Sequence, residues 1–220
     1  MVERQIVTNL HTRTQRDYRQ RVFDFDKAAC AEKATQWGYD YWDGERQYGY
    51  GGYRYDGRWK PVAQQLIDTY QLKPGHRVLD IGCGKAFLLH ELKQLMPDLE
   101  VCGLDLSTYA LEHAKPEVQP YLVQGNATQL PFPAQHFDLV FSILTLHNLP
   151  IYDLAKAFQE LNRVQKTHAL VVTESFRNEQ EKVNLLYWQL TCRAFFSKEE
   201  WLWLADHFGY RGDWEFVYFE

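Results

Sequence analysis

Residues 77–87 read Arg77-Val78-Leu79-Asp80-Ile81-Gly82-Cys83-Gly84-Lys85-Ala86-Phe87, an apolar run that carries one acid and leads into two glycines. This pattern predicts a buried strand, a tight turn and the first turn of a helix. Gly82 and Gly84 allow backbone angles that are closed to other residues, and they let a ligand approach the main chain. The free N–H groups at the start of the helix would point at that ligand. The sequence therefore predicts a ligand-binding turn at the end of a central strand.

A second predicted strand, near residues 100–104, ends at Asp105, which follows Gly84 by 21 residues. A strand–helix–strand unit places a ribose-binding carboxylate at about this spacing. A dinucleotide site also needs a third glycine at the sixth position of the turn, where this chain has Phe87. The turn therefore argues against a dinucleotide site, and an NAD-dependent dehydrogenase stays a distant alternative.

Four elements in order resemble the class I S-adenosylmethionine-dependent methyltransferases: the Asp-x-Gly-x-Gly turn at 80–84, Asp105, the loop at 125–127, and the strand and loop at 137–148. The likeness is good over about residues 60–175. It implies that the cofactor is S-adenosylmethionine.

Two residues depart from the pattern of this family. Ala86 stands where many members have a further glycine, and Asn126 stands where an aspartate commonly accepts from the adenine amino group. Alanine adds only one methyl group, and an asparagine carbonyl can still accept a hydrogen bond, without charge assistance. We therefore expect both departures to be tolerated.

The resemblance implies an α/β fold, a Rossmann-like sandwich with a mostly parallel sheet of six or seven strands and helices on both faces. The last predicted strand, at 214–219, lies at the end of the chain, so we expect six strands, or a seventh borrowed from elsewhere. We divide the chain into an N-terminal extension and lid, residues 1–59, and a methyltransferase domain, residues 60–220. The two parts are expected to form one structural unit.

The resemblance also implies which residues contact the cofactor. The methionine tail would meet the glycine turn, the ribose would meet the acid after the second strand, and the adenine would meet the residues that follow. The expected contacts are Asp80, Gly82, Gly84, Asp105, Leu106, Asn126, Ala127, Ser142 (through its backbone) and, for the cofactor carboxylate, Arg58.

Residues 37–59, the aromatic segment, contain nine aromatic residues and six glycines among 23 positions. Glycine at this density argues against a regular helix, and tyrosine offers a flat apolar face with a polar tip. We interpret the segment as a lid or substrate wall; the alternative is an extension packed on the flank of the sheet. The predicted substrate-binding residues are Tyr48, Tyr50, Tyr53, Asn148 and Trp188.

An alcohol acceptor would need a general base, whereas an unprotonated amine would need less. His147 follows the fourth predicted strand, where open α/β sheets place ligands, and is the first candidate for this base. Glu174, at the end of the fifth strand, is the second. The alternative for His147 is that it only braces its loop.

Composition limits the function classes. The chain has 220 residues, a length that is typical of one domain. Its 24 basic and 29 acidic residues give a net charge of −5, and the sequence has no strongly basic stretch. Both features argue against a nucleic-acid partner. The four cysteines form no C-x-x-C pair, and we expect them to be reduced thiols in the cytoplasm. No signal peptide, membrane span or metal-ligand spacing is expected. The oligomeric state is left open, with a homodimer among the options.

The predicted reaction is methyl transfer to an oxygen or nitrogen of a small metabolite, such as a sugar, an amine or a natural-product intermediate. The aromatic faces and interspersed acids suit a sugar or a cationic amine. The alternatives are an RNA or protein methyltransferase and a cofactor-binding scaffold without turnover.

Overall fold

The computed structural model describes residues 2–11 and 17–220, and within these ranges the chain forms one six-stranded sheet. Its strands are β1 (Arg77–Ile81), β2 (Glu100–Asp105), β3 (Leu122–Gln124), β4 (Phe137–Ile143), β5 (Gln165–Glu174) and β6 (Asp213–Val217). The order is β3-β2-β1-β4-β5-β6, and every pairing is parallel. The strand order reverses between β1 and β4, where open α/β sheets bind ligands at the carboxyl ends of their strands.

Helices cover both faces of the sheet, as predicted. They are α1 (Thr8–His11), α2 (Tyr18–Asp24), α3 (Lys27–Ala34), α4 (Tyr39–Trp42), α5 (Lys60–Tyr70), α6 (Phe87–Leu95), α7 (Thr108–Glu112), α8 (Ile151–Val164), α9 (Glu179–Trp188) and α10 (Lys198–His207), with 3₁₀ turns at Gln119–Tyr121 and Leu146–Asn148. α10 begins with a capping box, in which Ser197 and Glu200 exchange two hydrogen bonds between side chain and backbone.

Two apolar cores lie on opposite faces of the sheet because successive side chains of a strand point to opposite sides. Val78 and Leu139 pack with α5 and α6 on one face. Their neighbours Leu79 and Val140 pack with α8 and α10 on the other. The strands are therefore buried on both sides, which leaves the carboxyl edge of the sheet for a site.

The N-terminal segment is fastened to β6 at the edge of the sheet. Glu3 forms a parallel bridge with Trp214, so residues 2–4 add a single bridge rather than a seventh strand. The buried Glu215 carboxylate accepts hydrogen bonds from the backbone N–H groups of Ile6, Val7 and Thr8, at 2.6 to 3.0 Å. This attachment brings the start of the chain to the carboxyl edge of the sheet, where Val7 and Leu10 line a cavity.

The aromatic segment lies on the glycine turn. Tyr53 stacks on Phe87, with ring centroids 5.1 Å apart. Trp42 is buried, and its indole N–H donates to Ser107 Oγ at 3.0 Å. These contacts put the segment at the carboxyl edge of the sheet.

Candidate functional site

The described residues form three adjoining cavities at the carboxyl ends of the strands. The Asp105 cleft has a volume of about 870 Å³, the Asp80 cavity about 940 Å³ and the His147 pocket about 1140 Å³; each is named after an acid or base in its wall. Tyr50 and Leu144 line all three. The cavities therefore meet at these two residues.

The carboxylate of Asp105 is held in a fixed orientation at the end of β2. It accepts from Gly84 N at 2.7 Å and from Ser107 N at 2.8 Å. Burial raises its pKa, and these backbone hydrogen bonds oppose that rise. A carboxylate has about four acceptor positions, so acceptor capacity remains for two hydroxyl groups. The hydrogen bond from Gly84 N directly joins the glycine turn to the acid 21 residues later.

The glycine turn is required by packing within the protein. Gly82 has φ +81°, and a Cβ there would lie 2.2 Å from Thr145 Oγ1. Gly84 has φ +55°, and a Cβ there would lie 2.7 Å from the Trp42 ring. Side chains thus occupy the space that a Cβ would need at both glycines, while the turn itself stays open to a ligand: Gly82 lines the Asp105 cleft and the Asp80 cavity, and Gly84 lines the Asp80 cavity. Ala86 also adopts a left-handed conformation, with φ +53°.

Asp80 is buried and lines the cavity that bears its name, next to the turn. Burial raises its pKa well above the ordinary value, and the charge of Asp105 raises it further. A neutral Asp80 would be a hydrogen-bond donor as well as an acceptor. Val7 and Leu10 of the N-terminal segment close the same cavity.

Leu106, Asn126 and Ala127 line the Asp105 cleft, and Leu106 keeps 53% of its surface exposed. The expected acceptor role of the Asn126 carbonyl needs correction. Its Oδ1 already accepts from Thr128 N and Thr128 Oγ1, each at 3.0 Å, so both lone pairs are used. A ligand contact at Asn126 would therefore use its amide N–H groups.

Ser142 was expected to lie under the cofactor through its backbone; in the structure it is fully buried in β4 and lines none of the three cavities formed by the described residues. Its hydroxyl donates to Ile81 O at 2.9 Å inside the sheet. Ile143 and Leu144, where β4 ends, line the Asp105 cleft instead. Leu144 has φ +52°, a strained conformation for a branched side chain that sequence patterns do not reveal.

His147 and Glu174 come together at the base of the His147 pocket. His147 Nε2 lies 3.6 Å from Glu174 Oε2, and both side chains are almost completely buried. Gln189 donates to the other oxygen of Glu174. Burial lowers the pKa of His147 to about 3, so the imidazole is neutral at neutral pH. The backbone carbonyl of His147 also accepts from Arg193 N and Ala194 N, so this residue braces its loop as well.

The predicted substrate residues do not all reach one cavity. Tyr50, Tyr53 and Trp188 line the His147 pocket. Asn148 lines the Asp105 cleft instead, because the 3₁₀ turn points neighbouring side chains in different directions. Tyr48 lines none of the three cavities of the described residues; its ring packs under Lys33, whose Nζ lies 4.2 Å from the ring centroid.

Arg58, expected at the cofactor carboxylate, lies between the Asp80 cavity and the His147 pocket. Its guanidinium group is paired with Asp56 through Nε and Nη2, at 2.5 to 2.9 Å. It therefore borders the expected place of the methionine tail with much of its hydrogen-bonding capacity already used.

A buried ion pair that sequence analysis missed anchors the aromatic segment to the glycine turn. Lys85 Nζ donates to both oxygens of Asp43, at 2.6 and 2.7 Å, and to Tyr53 O at 3.0 Å. The Tyr109 hydroxyl donates to Asp43 at 2.8 Å. The only signal in the sequence is a lysine inside an otherwise apolar turn, which does not identify a partner 42 residues away.

Replacing Asp43 with alanine should therefore lower the free energy of unfolding by about 2 kcal/mol, because Lys85 would stay buried with fewer partners. Urea denaturation of the purified proteins measures this loss. Asp56→Ala, which breaks an exposed ion pair, is the matched control and should cost less than about 1 kcal/mol. Equal losses in the two variants would contradict the anchoring role.

The buried neutral imidazole of His147 predicts a pH dependence of stability. As the pH falls from about 6.5 towards 3, the unfolded chain binds a proton at this residue while the folded chain does not, so the free energy of unfolding falls by up to about 1.4 kcal/mol per pH unit. His147→Gln removes this contribution, and its stability should fall less steeply than that of the wild type between pH 6.5 and 5. Urea denaturation at several pH values measures the difference, with the exposed His113→Gln as control. Parallel curves for wild type and His147→Gln would mean that Glu174 stabilises the protonated imidazole.

Residues 2–11 and 17–220 contain neither a helix that could span a membrane nor a cluster of metal-binding side chains. None of the helices there combines the length and apolar character that crossing a bilayer needs. No group of three or more His, Cys, Asp or Glu side chains there is arranged to hold a metal ion.

Comparison with known proteins adds sequence relatives to this geometry. A sequence family described as a methyltransferase domain matches residues 79–173. A demethylmenaquinone methyltransferase from Lysinibacillus sphaericus is 39% identical over 106 residues, which cover 46% of this chain and 44% of that protein. A malonyl-[acyl-carrier protein] O-methyltransferase from Legionella pneumophila is 36% identical over 121 residues, covering 51% and 41%. The chain thus spans less than half the length of each of these two relatives.

Solved structures share the same fold. The YcgJ protein from Bacillus subtilis superposes with a TM-score of 0.56 at 27% identity and covers 66% of each chain. A SAM-dependent methyltransferase from Aquifex aeolicus has a TM-score of 0.52 at 20% identity, covering 67% of this chain and 78% of its own. Sequence and fold lead to the same assignment: residues 79–173 match a methyltransferase-domain family, and the chain has the fold of a solved SAM-dependent methyltransferase.

Proposed function

We propose that this chain transfers the methyl group of S-adenosylmethionine to an oxygen or nitrogen atom of a small metabolite. The observation that carries the proposal is the junction at Tyr50 and Leu144, where the Asp105 cleft and the Asp80 cavity meet the His147 pocket. A cofactor bound along the first two would present its reactive group to the third. The acceptor would then bind beside His147 and Glu174.

The residues present fit this cofactor. Asp105 keeps acceptor capacity for ribose hydroxyls, and Leu106 offers an exposed apolar face for adenine. Asn148 Oδ1 is buried in the same cleft and has no hydrogen-bond partner among the described residues, so it can accept from a ligand donor. When bound, S-adenosylmethionine supplies a methyl group already activated by its sulfonium. The protein's main task is then to align the acceptor.

His147 is proposed to remove the proton from a hydroxyl acceptor. Its imidazole is neutral and can therefore accept a proton at its unprotonated ring nitrogen, and Glu174, 3.6 Å from Nε2, lies close enough to stabilise the resulting charge. Because burial makes the free imidazole a weak base, the effect of Glu174 on the protonated form is an essential part of this role. The aromatic segment is proposed to act as the lid, held at Asp43 and Trp42.

The two curated relatives are named for different acceptors, demethylmenaquinone and malonyl-[acyl-carrier protein]. Membership of the family therefore leaves the acceptor open. The net charge of −5 supports a small molecule rather than RNA. The free thiols of Cys30, Cys83, Cys102 and Cys192 support a reducing compartment such as the cytoplasm.

Calorimetric titration with S-adenosylhomocysteine, run beside NADH, tests the cofactor site. We expect saturable binding of S-adenosylhomocysteine and none of NADH at the same concentration. A panel of hydroxyl- and amine-bearing metabolites is then screened for formation of S-adenosylhomocysteine from S-adenosylmethionine. Binding without turnover on any acceptor, together with a stable hetero-complex, would favour a scaffold; preference for NADH would contradict the proposal.

A further inference from the structure

The wall of the His147 pocket is strongly basic. Among the described residues that line it, four arginines face one carboxylate, that of Glu174. The arginines come from two separate parts of the chain: Arg21, Arg46, Arg54 and Arg58. The whole chain carries a net charge of −5, so this concentration of positive charge is local to the pocket.

Two of these guanidinium groups crowd one aromatic ring. Arg21 Cζ lies 4.7 Å and Arg46 Cζ 5.0 Å from the centroid of the Trp188 ring. The pKa of Arg21 is lowered, first by burial and then by the positive charge of Arg46. Like charges held together at a partly buried site repel each other, and a bound anion would offset this repulsion.

The arginines of the pocket differ in their partners. Arg58 is paired with Asp56. Within residues 2–11 and 17–220, no carboxylate lies within ion-pair distance of Arg21 or Arg54. Arg21 Nη2 donates to a neutral group, the backbone carbonyl of Gln47, at 3.3 Å. These two guanidinium groups can therefore bind an anionic ligand without first breaking an internal ion pair.

We propose that the acceptor carries an anionic group, a phosphoryl or carboxylate group, which binds to Arg21 and Arg54 in the His147 pocket. The proposal rests on the proposed function and specifies its substrate class. His147 and Glu174 line the same pocket, so the nucleophilic hydroxyl or amine of the acceptor would lie beside them and its anionic end beside the two arginines. Guanidinium groups bind phosphoryl and carboxylate oxygens through paired N–H donors, which also orients the ligand.

This assignment argues against the cationic amine suggested by the aromatic residues alone. Trp188, the ring that would receive a cation, already has two guanidinium groups beside it. A positively charged ligand would add to the repulsion in the pocket. An anionic acceptor is complementary to it.

Calorimetric titration of the full chain, saturated with S-adenosylhomocysteine, tests the proposal with two probes: inorganic pyrophosphate and citrate. Pyrophosphate reports a phosphoryl site and citrate a carboxylate site. The variants are Arg54→Gln and Arg21→Gln, with Arg21→Lys to keep the charge of the partly buried residue. The control is Arg211→Gln, which makes the same charge change at an exposed position outside the pocket.

We expect saturable binding of one probe, weakened roughly tenfold or more by Arg54→Gln and by Arg21→Gln and unchanged by Arg211→Gln. Arg21→Lys should retain part of the affinity. Protein that binds S-adenosylhomocysteine but neither probe would overturn the anionic acceptor and leave the methyltransferase proposal standing. Equal weakening by Arg211→Gln would overturn it too, since the anion would then respond only to overall charge. Failure to bind S-adenosylhomocysteine would instead contradict the proposed function.

Discussion

Replacing Asp105 with alanine is expected to weaken the binding of S-adenosylhomocysteine about a hundredfold, because two hydrogen bonds from hydroxyl groups to a charged acceptor would be lost. The carboxylate also holds Gly84 N and Ser107 N, so the variant loosens the glycine turn at the same time. Calorimetric titration measures the change in the dissociation constant.

Two further variants separate these contributions. Asp105→Asn keeps an acceptor for one of the backbone N–H groups but removes the charge, and it should bind with intermediate affinity. Asp206→Ala removes an exposed acid from α10 and should leave affinity unchanged. Wild-type affinity in Asp105→Ala would mean that the nucleoside does not lie in the Asp105 cleft.

The second large effect is expected in His147→Ala, which should lose about a hundredfold or more in turnover on a hydroxyl acceptor while its affinity for S-adenosylhomocysteine changes little. The reason is that His147 lines the His147 pocket rather than the Asp105 cleft. Turnover is measured with whichever acceptor of the panel supports methyl transfer, and affinity by calorimetry.

His147→Gln is the structural control, because it fills much of the same volume without a basic nitrogen. It should be as inactive as His147→Ala but more stable. The pKa of about 3 adds a second condition: turnover should not fall between pH 7 and 5 through protonation of His147. Unchanged turnover on a hydroxyl acceptor in both variants would exclude His147 as the base. With an amine acceptor, which needs less help from a base, we expect only a small loss of turnover in either variant.

Sequence patterns were most successful for contacts within one strand–helix–strand unit. The spacing from Gly84 to Asp105 predicted a shared ligand site, and the structure joins the two residues by a 2.7 Å hydrogen bond. Parallel pairing of β1 with β2 makes this geometry almost independent of the rest of the chain. The capping box of α10 is another local feature, because its two hydrogen bonds join residues only three positions apart.

Local details that depend on the exact backbone path were predicted less well. Ser142 points into the sheet, and the chain leaves β4 through the left-handed Leu144. The side-chain carbonyl of Asn126 accepts hydrogen bonds from Thr128, two residues later, and so forms a local turn. An Asn-x-Thr pattern permits this turn but does not require it. His147 and Asn148 are neighbours in the sequence yet face different cavities.

The sequence alone was enough for the sheet, its central turn and the family, because these depend on apolar periodicity and on glycines and acids at short, regular spacings. Only the tertiary structure brought the N-terminal segment to β6, paired Lys85 with Asp43 and gathered Arg21 and Arg54 around one pocket. Such contacts join residues that are tens to hundreds of positions apart, and they form when whole elements pack against each other. The sequence pattern around one of these residues does not indicate which distant residue it contacts. The chemistry of the acceptor pocket therefore follows from the folded structure and not from any single stretch of sequence.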